Sequence, residues 1–247
     1  MSLSSFWLSA CQQNEVRLRV AVAANFSGTL AKIGRRFTSR TGTRIEASAA
    51  STGQLFAQIE NGAPYDVFLA ADTKRPRQLV RSGYAVNAAR FVYACGTLVL
   101  WSRDPKAVDS GGEVLARHDL GVVAIADPRT APYGAAARSL LEARGLWEPL
   151  SKSGRIATAA SVTQAYQFVE SGSAALGFVA MSQVLSGQGH GKAGSMWRVP
   201  TPPGALDQEA VLLTRAPNNR SAREFLDFLR GDPEARKIIK EDGYALP

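Results

Sequence analysis

Four stretches, AANFSGT (23–29), SAASTGQ (48–54), DPRTAPYGAA (127–136) and TAASVTQA (158–165), place small, hydroxyl or amide residues where an apolar run gives way to a helical pattern. Only the third carries charge, on Asp127 and Arg129. A helix start presents unpaired N–H groups and about half a positive charge. Several such starts aimed at one cavity make an anion site without a lysine. Taken singly, each junction is explained by ordinary capping, since Ser, Thr and Asn are preferred there in any α/β protein. Their occurrence as two pairs, each at the carboxyl ends of strands, is what points to a ligand.

Competing chemistry is thin. The two histidines, His118 and His190, stand apart from any Cys or carboxylate cluster with metal spacing. No G-x-S-x-G elbow is present. Asp66 and Asp72 flank VFLAA, where strand ending and N–H capping account for both. SGQGHGKAGS (186–195) resembles a phosphate-binding loop but has Ser186 in place of the first Gly and Ala193 after Lys192, so it reads as a flexible loop. Of the two cysteines, Cys95 lies in FVYACGTLVLW as a small hydrophobe, and Cys11 lies in the leader; a disulfide between them is not expected.

The elements that would position the junctions alternate. RLRVAVAA, TRIEASAA and PYDVFLAAD read as strands, with SGTLAKIGRRFTSRTG and TGQLFAQIENG as helices between them. After the apolar run Phe91 to Pro105 the cycle restarts: GVVAIADP, GRIATAAS and AALGFVAMS as strands, APYGAAARSLLEARG and VTQAYQFVESG as helices. Such alternation predicts parallel α/β sheets, and two sets of similar size predict two lobes. Two capped helices close the chain: Ser221 with Glu224 reads as a capping box, and Asp232-Pro233 opens the last helix.

The 247 residues, 45% hydrophobic and 20% charged, describe an ordinary globular chain. A net charge of +8 admits nucleic acid, a membrane surface or a small anion as partner. The basic residues are scattered, without a nucleic-acid motif or aromatic interleaving, so nucleic acid is not expected. No apolar run reaches the ~18 residues of a membrane span. Residues 1–16 read as a leader or signal remnant, in which Leu8-Ser9-Ala10-Cys11 resembles a bacterial lipoprotein box; the charged segment that normally precedes one is missing.

VAVAANFSGTL, STGQLFAQIENGAPYDVFLAAD, ADPRTAPYGAAARSLLEARGLW and KEDGYAL together resemble the extracytoplasmic molybdate-binding proteins that serve ABC importers, in order from about Val20 to Leu246. The resemblance implies a two-lobed type II periplasmic-binding-protein fold, each lobe a mostly parallel sheet flanked by helices, with a two-strand hinge. It places lobe 1 at 17–96 plus 209–247 and lobe 2 at 97–208. It implies a periplasmic protein, lipid-anchored if Cys11 is acylated, that is a monomer and not an enzyme. Such a protein needs no cofactor and no direct metal-cation ligands. Its ligand would be molybdate or tungstate, held by neutral donors and delivered to a membrane permease. Carried over by motif, the ligand-binding residues are Ala24, Asn25, Thr52, Tyr133 and Val162. Where some members add a tyrosine from the strand ALGFVAMS, this chain has Ala180, and Tyr133 is expected to compensate. Sulfate or phosphate remains the alternative ligand, and an enzyme acting on an anionic metabolite the alternative class. A phosphate site would need a carboxylate acceptor, and none of the junctions offers one at a matching position.

Overall fold

The computed structural model describes residues 16–119, 121–188, 194–216 and 220–247. The leader with Cys11, and the centre of the Gly-rich stretch with His190 and Lys192, lie outside the described residues.

β1 (Arg17–Ala23) is buried throughout from Val20 onward. Such an all-apolar run suits a central strand covered on both faces. The following α1 (Ser27–Thr41) turns Leu30, Ile33 and Phe37 inward and stops at Gly42, whose φ of 73° costs a glycine nothing. β2 (Arg44–Ala50), more polar and largely uncovered, is an edge strand. It leads to α2 (Thr52–Glu60), then β3 (Val67–Leu69) and α3 (Lys74–Arg81). β1 runs parallel to both β2 and β3.

The apolar run Phe91 to Pro105 holds two strands: β4 (Phe91–Cys95) stays with the first sheet, and β5 (Leu98–Ser102) enters a second. Hydrophobicity alone cannot mark that break, because both strands are core strands. There follow β6 (Val123–Ala126), α4 (Pro132–Ala143), α5 (Trp147–Lys152), β7 (Ile156–Ala159) and α6 (Val162–Glu170). Next come β8 (Leu176–Ala180), α7 (Met181–Gln188) and β9 (Ser195–Arg198). The chain returns to the first sheet as β10 (Asp207–Leu212) and ends in α8 (Arg220–Gly231) and α9 (Pro233–Glu241).

The sheets have one plan. Their orders are β2-β1-β3-β10-β4 and β7-β6-β8-β5-β9. Each contains a single reversed strand, β10 or β5, antiparallel to both its neighbours. That strand is supplied by the chain as it arrives from the other sheet's edge strand, so two connections, at Gly96-Thr97 and between Arg198 and Asp207, join the halves. This is a two-lobed α/β fold with mostly parallel sheets.

The chain end is tied to the first connection. Ala245 and Cys95 exchange both backbone hydrogen bonds, at 2.8 and 3.0 Å. Buried Asp242 accepts from Thr29 Oγ1 at 2.8 Å and pairs with Lys32 on α1. At α9, the Asp232 carboxylate accepts from the N–H groups of Glu234 and Ala235, as its position before Pro233 predicts. The capping box expected at Ser221 is not formed: Arg220 is already helical, Ser221 lies in the first turn, and Glu224 pairs with Arg220 at 2.7 Å.

α4 lies unusually close to the end of β6. A Cβ at Gly134 would collide with the carbonyl of Ala126, which is backbone and cannot move aside. Gly134→Ala should therefore lower unfolding stability by about 1–3 kcal/mol through overpacking, measured by denaturant titration.

Candidate functional site

The four junctions stand at the ends of β1, β2, β6 and β7, the first and second strands of the two matching sheets. They are brought together across the lobes. Gly53 N–H donates to the Thr130 carbonyl at 2.8 Å, joining the second junction to the third. Thr163 Oγ1 donates to the Ala24 carbonyl at 3.1 Å, joining the fourth to the first. Ala23, Ala71, Ala131, Tyr133 and Val162 share one buried cluster although they come from both lobes.

The second and fourth junctions share a device as well. In the S-x-x-Q sequence starting at Ser51, Gln54 Oε1 accepts from the Ser51 N–H at 3.1 Å and from its hydroxyl at 2.8 Å. In that starting at Ser161, Ser161 Oγ accepts from the Gln164 N–H at 3.2 Å, and Gln164 Oε1 accepts from Ala160 N–H at 2.7 Å. Glutamine thus fills the role of a capping-box glutamate without adding a negative charge. Thr52 and Val162, the first helical residues after these caps, keep N–H groups that have no intrahelical acceptor. Tyr133, at the second position of α4 behind Pro132, does the same.

The residues expected to bind ligand are enclosed: Asn25 is 4% exposed, Thr52 1%, Tyr133 2%, Val162 4% and Ala24 9%. At the first junction a single 3-10 turn, Ala24–Phe26, separates β1 from α1. Its carbonyls are occupied: Asn25 O accepts from Tyr244 Oη at 2.7 Å and from Ser182 Oγ at 3.2 Å, and Ala24 O from Thr163. The Asn25 side chain is occupied too, its Nδ2 donating to Gln208 Oε1 at 2.9 Å and to Tyr244 Oη at 3.2 Å. What Asn25 has to offer a ligand is therefore its backbone N–H.

Both hydroxyls of the set are backed by a donor. Thr52 Oγ1 accepts from the Ala71 N–H at 3.1 Å, and Tyr133 Oη accepts from Gln208 Nε2 at 3.3 Å. Neither hydroxyl proton meets an acceptor among the described residues. A buried O–H in that position costs about 1–3 kcal/mol unless something accepts from it. The arrangement asks for an acceptor-rich, donor-free guest.

Sequence reasoning missed the residues behind this shell, Tyr93, Gln208, Ser182 and Tyr244. Gln208 is fully buried and also accepts from Tyr93 Oη at 3.1 Å. The available signal was a Gln shortly before the apolar run AVLL and a Tyr within the terminal KEDGYAL. Ala180 is buried in β8, and its N–H donates to Gln183 Oε1. Asp127 is turned to Arg129, whose backbone N–H and guanidinium both donate to it. Asp72 caps α3 through Arg75 N–H at 2.9 Å, and Asp66 accepts from Arg19 N–H. Among the described residues no group of three or more His, Cys, Asp or Glu could hold a metal ion.

Burial drives the hydroxyl pKa of Tyr93, Tyr133 and Tyr244 above the ordinary tyrosine value, and each is further affected by the neighbouring phenols or hydrogen bonds. The site therefore keeps its protons under all ordinary conditions.

A family model described as bacterial extracellular solute-binding protein matches residues 18–245. The chain belongs to that family. It is 46% identical over 225 residues to the molybdate-binding protein ModA of Rhodobacter capsulatus, covering 91% of this chain and 86% of the relative. It is 44% identical over 243 residues to ModA of Azotobacter vinelandii, covering 97% and 94%. The solved structure of the Azotobacter vinelandii periplasmic molybdate-binding protein superposes with a TM-score of 0.87 at 41% identity, over 93% of this chain and 99% of that one. A sulfate-binding protein, SubI of Mycobacterium tuberculosis, superposes at 0.74 with 13% identity over 94% and 87% of the chains, a likeness of fold alone. The architecture is that of the type II periplasmic binding proteins.

The close approach of the lobes at the second junction is open to test. A Cβ at Gly53 would stand 2.9 Å from the Thr130 backbone of the opposite lobe. Gly53→Ala is expected to keep the melting temperature of the ligand-free chain within a few degrees and to weaken ligand binding at least about tenfold, read by titration calorimetry. The buried phenols give a second expectation. Below the ordinary tyrosine pKa of 10.0 they are protonated in folded and unfolded chains alike. Above it the unfolded chain releases protons that the folded one retains, so stability falls as pH rises toward the folded-state values. Tyrosinate absorbance should accordingly show these three of the 6 tyrosines titrating only as the fold is lost.

Proposed function

We propose that this chain binds molybdate, and tungstate with it, between its two lobes, as the solute receptor of an ABC importer. The observation that supports the reading is a set of donors at the four junctions: helix-start N–H groups at Asn25, Thr52, Tyr133 and Val162, the small Ala24, and two hydroxyls whose protons meet no acceptor among the described residues. A tetrahedral dianion accepts at every oxygen and donates at none. Removed from water, it needs each oxygen satisfied, and hydrogen bonds to charged groups contribute about 1.5–3 kcal/mol apiece. Supplying those bonds from fixed dipoles avoids burying a lysine whose charge would itself need compensation.

The molybdate-binding names of the relatives support the choice of ion. A smaller tetrahedron such as sulfate would leave the same donors too far from their acceptors. The chain acts by binding, not by catalysis, and molybdate is cargo rather than cofactor. The two connections between the sheets serve as the hinge of lobes 17–96 plus 209–247 and 97–208. The cross-lobe bonds at Gly53 and Thr163 form as the lobes close on the ion. The closed form is the one a membrane permease recognises, outside the cytoplasm, and the receptor works as a monomer. Lipid attachment at Cys11 would hold it near that permease; mass spectrometry of the protein isolated from its native membrane tests this directly.

Titration calorimetry with molybdate, tungstate, sulfate and phosphate is expected to give tight one-to-one binding of the first two only. Silence from all four would return the helix starts to simple caps. Thr52→Val, which removes one donor without changing volume much, is expected to cost about tenfold or more in molybdate affinity with little change in melting temperature.

A further inference from the structure

The two donor hydroxyls differ in what stands behind them. Thr52 is backed by a backbone N–H, that of Ala71, which no substitution by another L-residue except proline removes. Tyr133 is backed by a side chain, that of Gln208, in the strand by which the chain returns from the second lobe to the first.

We propose that Gln208 is a positioning residue that makes the Tyr133 hydroxyl an obligate donor to the bound anion, and so turns the site against anions that carry a proton. The inference rests on the oxyanion-receptor reading. Its warrant is the fixed polarity of the buried amide. Gln208 Oε1 accepts from Asn25 Nδ2 at 2.9 Å and from Tyr93 Oη at 3.1 Å, which leaves Nε2 as the end directed at Tyr133 Oη. Gln208 is fully buried, so no bulk water competes for either end. With an N–H pointing at its oxygen, the tyrosine proton must turn elsewhere, and among the described residues it finds no acceptor. The same amide holds Asn25 of the first lobe and Tyr133 of the second, so it registers the two halves of the lining against each other.

The space for this contact is kept by Gly96, at the other connection. A Cβ there would run into the Tyr133 hydroxyl and stand 2.8 Å from Gln208 Nε2. The sole residue type without a Cβ thus stands where tyrosine and glutamine meet.

The consequence is chemical discrimination beyond size. A hydrogen-bearing anion such as hydrogen phosphate brings a donor that needs an acceptor. With Gln208 in place, each hydroxyl oxygen already receives an N–H, and its own proton would confront the proton of the guest. Replacing the amide by a carboxylate, Gln208→Glu, reverses this. The new carboxylate would accept the Tyr133 proton, leaving the tyrosine oxygen as an acceptor toward the cleft.

The test is a double-mutant cycle on the full chain, with molybdate and inorganic phosphate as the probes. Tyr133→Phe alone should lower molybdate affinity about tenfold, the value of one hydrogen bond to a charged group. Gln208→Glu should lower it at least as much while narrowing the ratio of molybdate to phosphate affinity. In the Gln208→Glu background, Tyr133→Phe should cost less than about twofold, because the proton has already been diverted. Where Gln208→Glu fails to fold by circular dichroism, Gln208→Met carries the cycle: it removes the backing N–H without diverting the proton, so Tyr133→Phe should cost less there than in the wild-type background but more than the twofold expected beside the carboxylate. Tyr133→Phe without effect in the wild-type background, or losses that simply multiply in the cycle, would overturn the assignment of Gln208 while leaving the receptor reading intact. No molybdate binding by the wild-type chain would overturn both.

Discussion

The junction between β1 and α1 is held by its carbonyls, and the rest of the site depends on that. Asn25 O takes the hydroxyls of Tyr244, from the chain terminus, and Ser182, from the second lobe, while Ala24 O takes that of Thr163. With its acceptors engaged on one side, the 3-10 turn has its N–H groups left for the other. Anchoring the acceptors rather than the donors is what allows a backbone to serve as a rigid binding surface. Phe26, edge-on to Tyr93 and Tyr244 at centroid distances of 4.7 and 5.3 Å, locks the turn from below.

The symmetry of the two sheets explains how so small a motif supplies a whole shell. Each lobe contributes one edge strand and the strand beside it, β2 and β1 or β7 and β6, with the helices that follow them, so the junctions come in matching pairs. The match extends to chemistry: Ser51 with Gln54 and Ser161 with Gln164 make neutral Ser/Gln helix starts in opposite lobes, the glutamine oxygen accepting from Ser51 N–H in one and from Ala160 N–H in the other. The uncharged cap matters, because a glutamate there would place negative charge within one helical turn of the proposed anion. Charge is instead kept at the rim, where Asp72 and Asp127 are each tied to an arginine. Arg75 also reaches the Arg129 carbonyl of the other lobe at 3.0 Å, so the rim contributes to holding the lobes together.

Neutral donors and a basic surface then have separate tasks. In the proposed reading the interior would satisfy an ion already captured, and the net charge of +8 would raise the rate of encounter with anions, an effect that salt screens.

Much of this was legible in the residues themselves. Periodicity marked the strands and helices that border the junctions, since short apolar runs ending in Ser, Asn or Pro have few other uses. The uncharged helix starts pointed to the chemistry, and the blocks around Ser51–Asp72 and Ala126–Trp147 to the family. What the sequence left open was everything that depends on long-range meeting. Hydrophobicity did not show that Phe91 to Pro105 is two strands of two sheets, because it does not record which sheet a strand joins. The sequence did not show the Ser221 helix to begin earlier, because a cap is defined by backbone geometry and not by its residue type. It held no sign that Gln208, 183 positions from Asn25, would face it across 2.9 Å. Local patterning determines elements and their ends by short-range sterics and hydrogen bonding. The direction in which each donor points, and what stands behind it, is decided only when the two lobes and the chain terminus pack around one buried polar cluster.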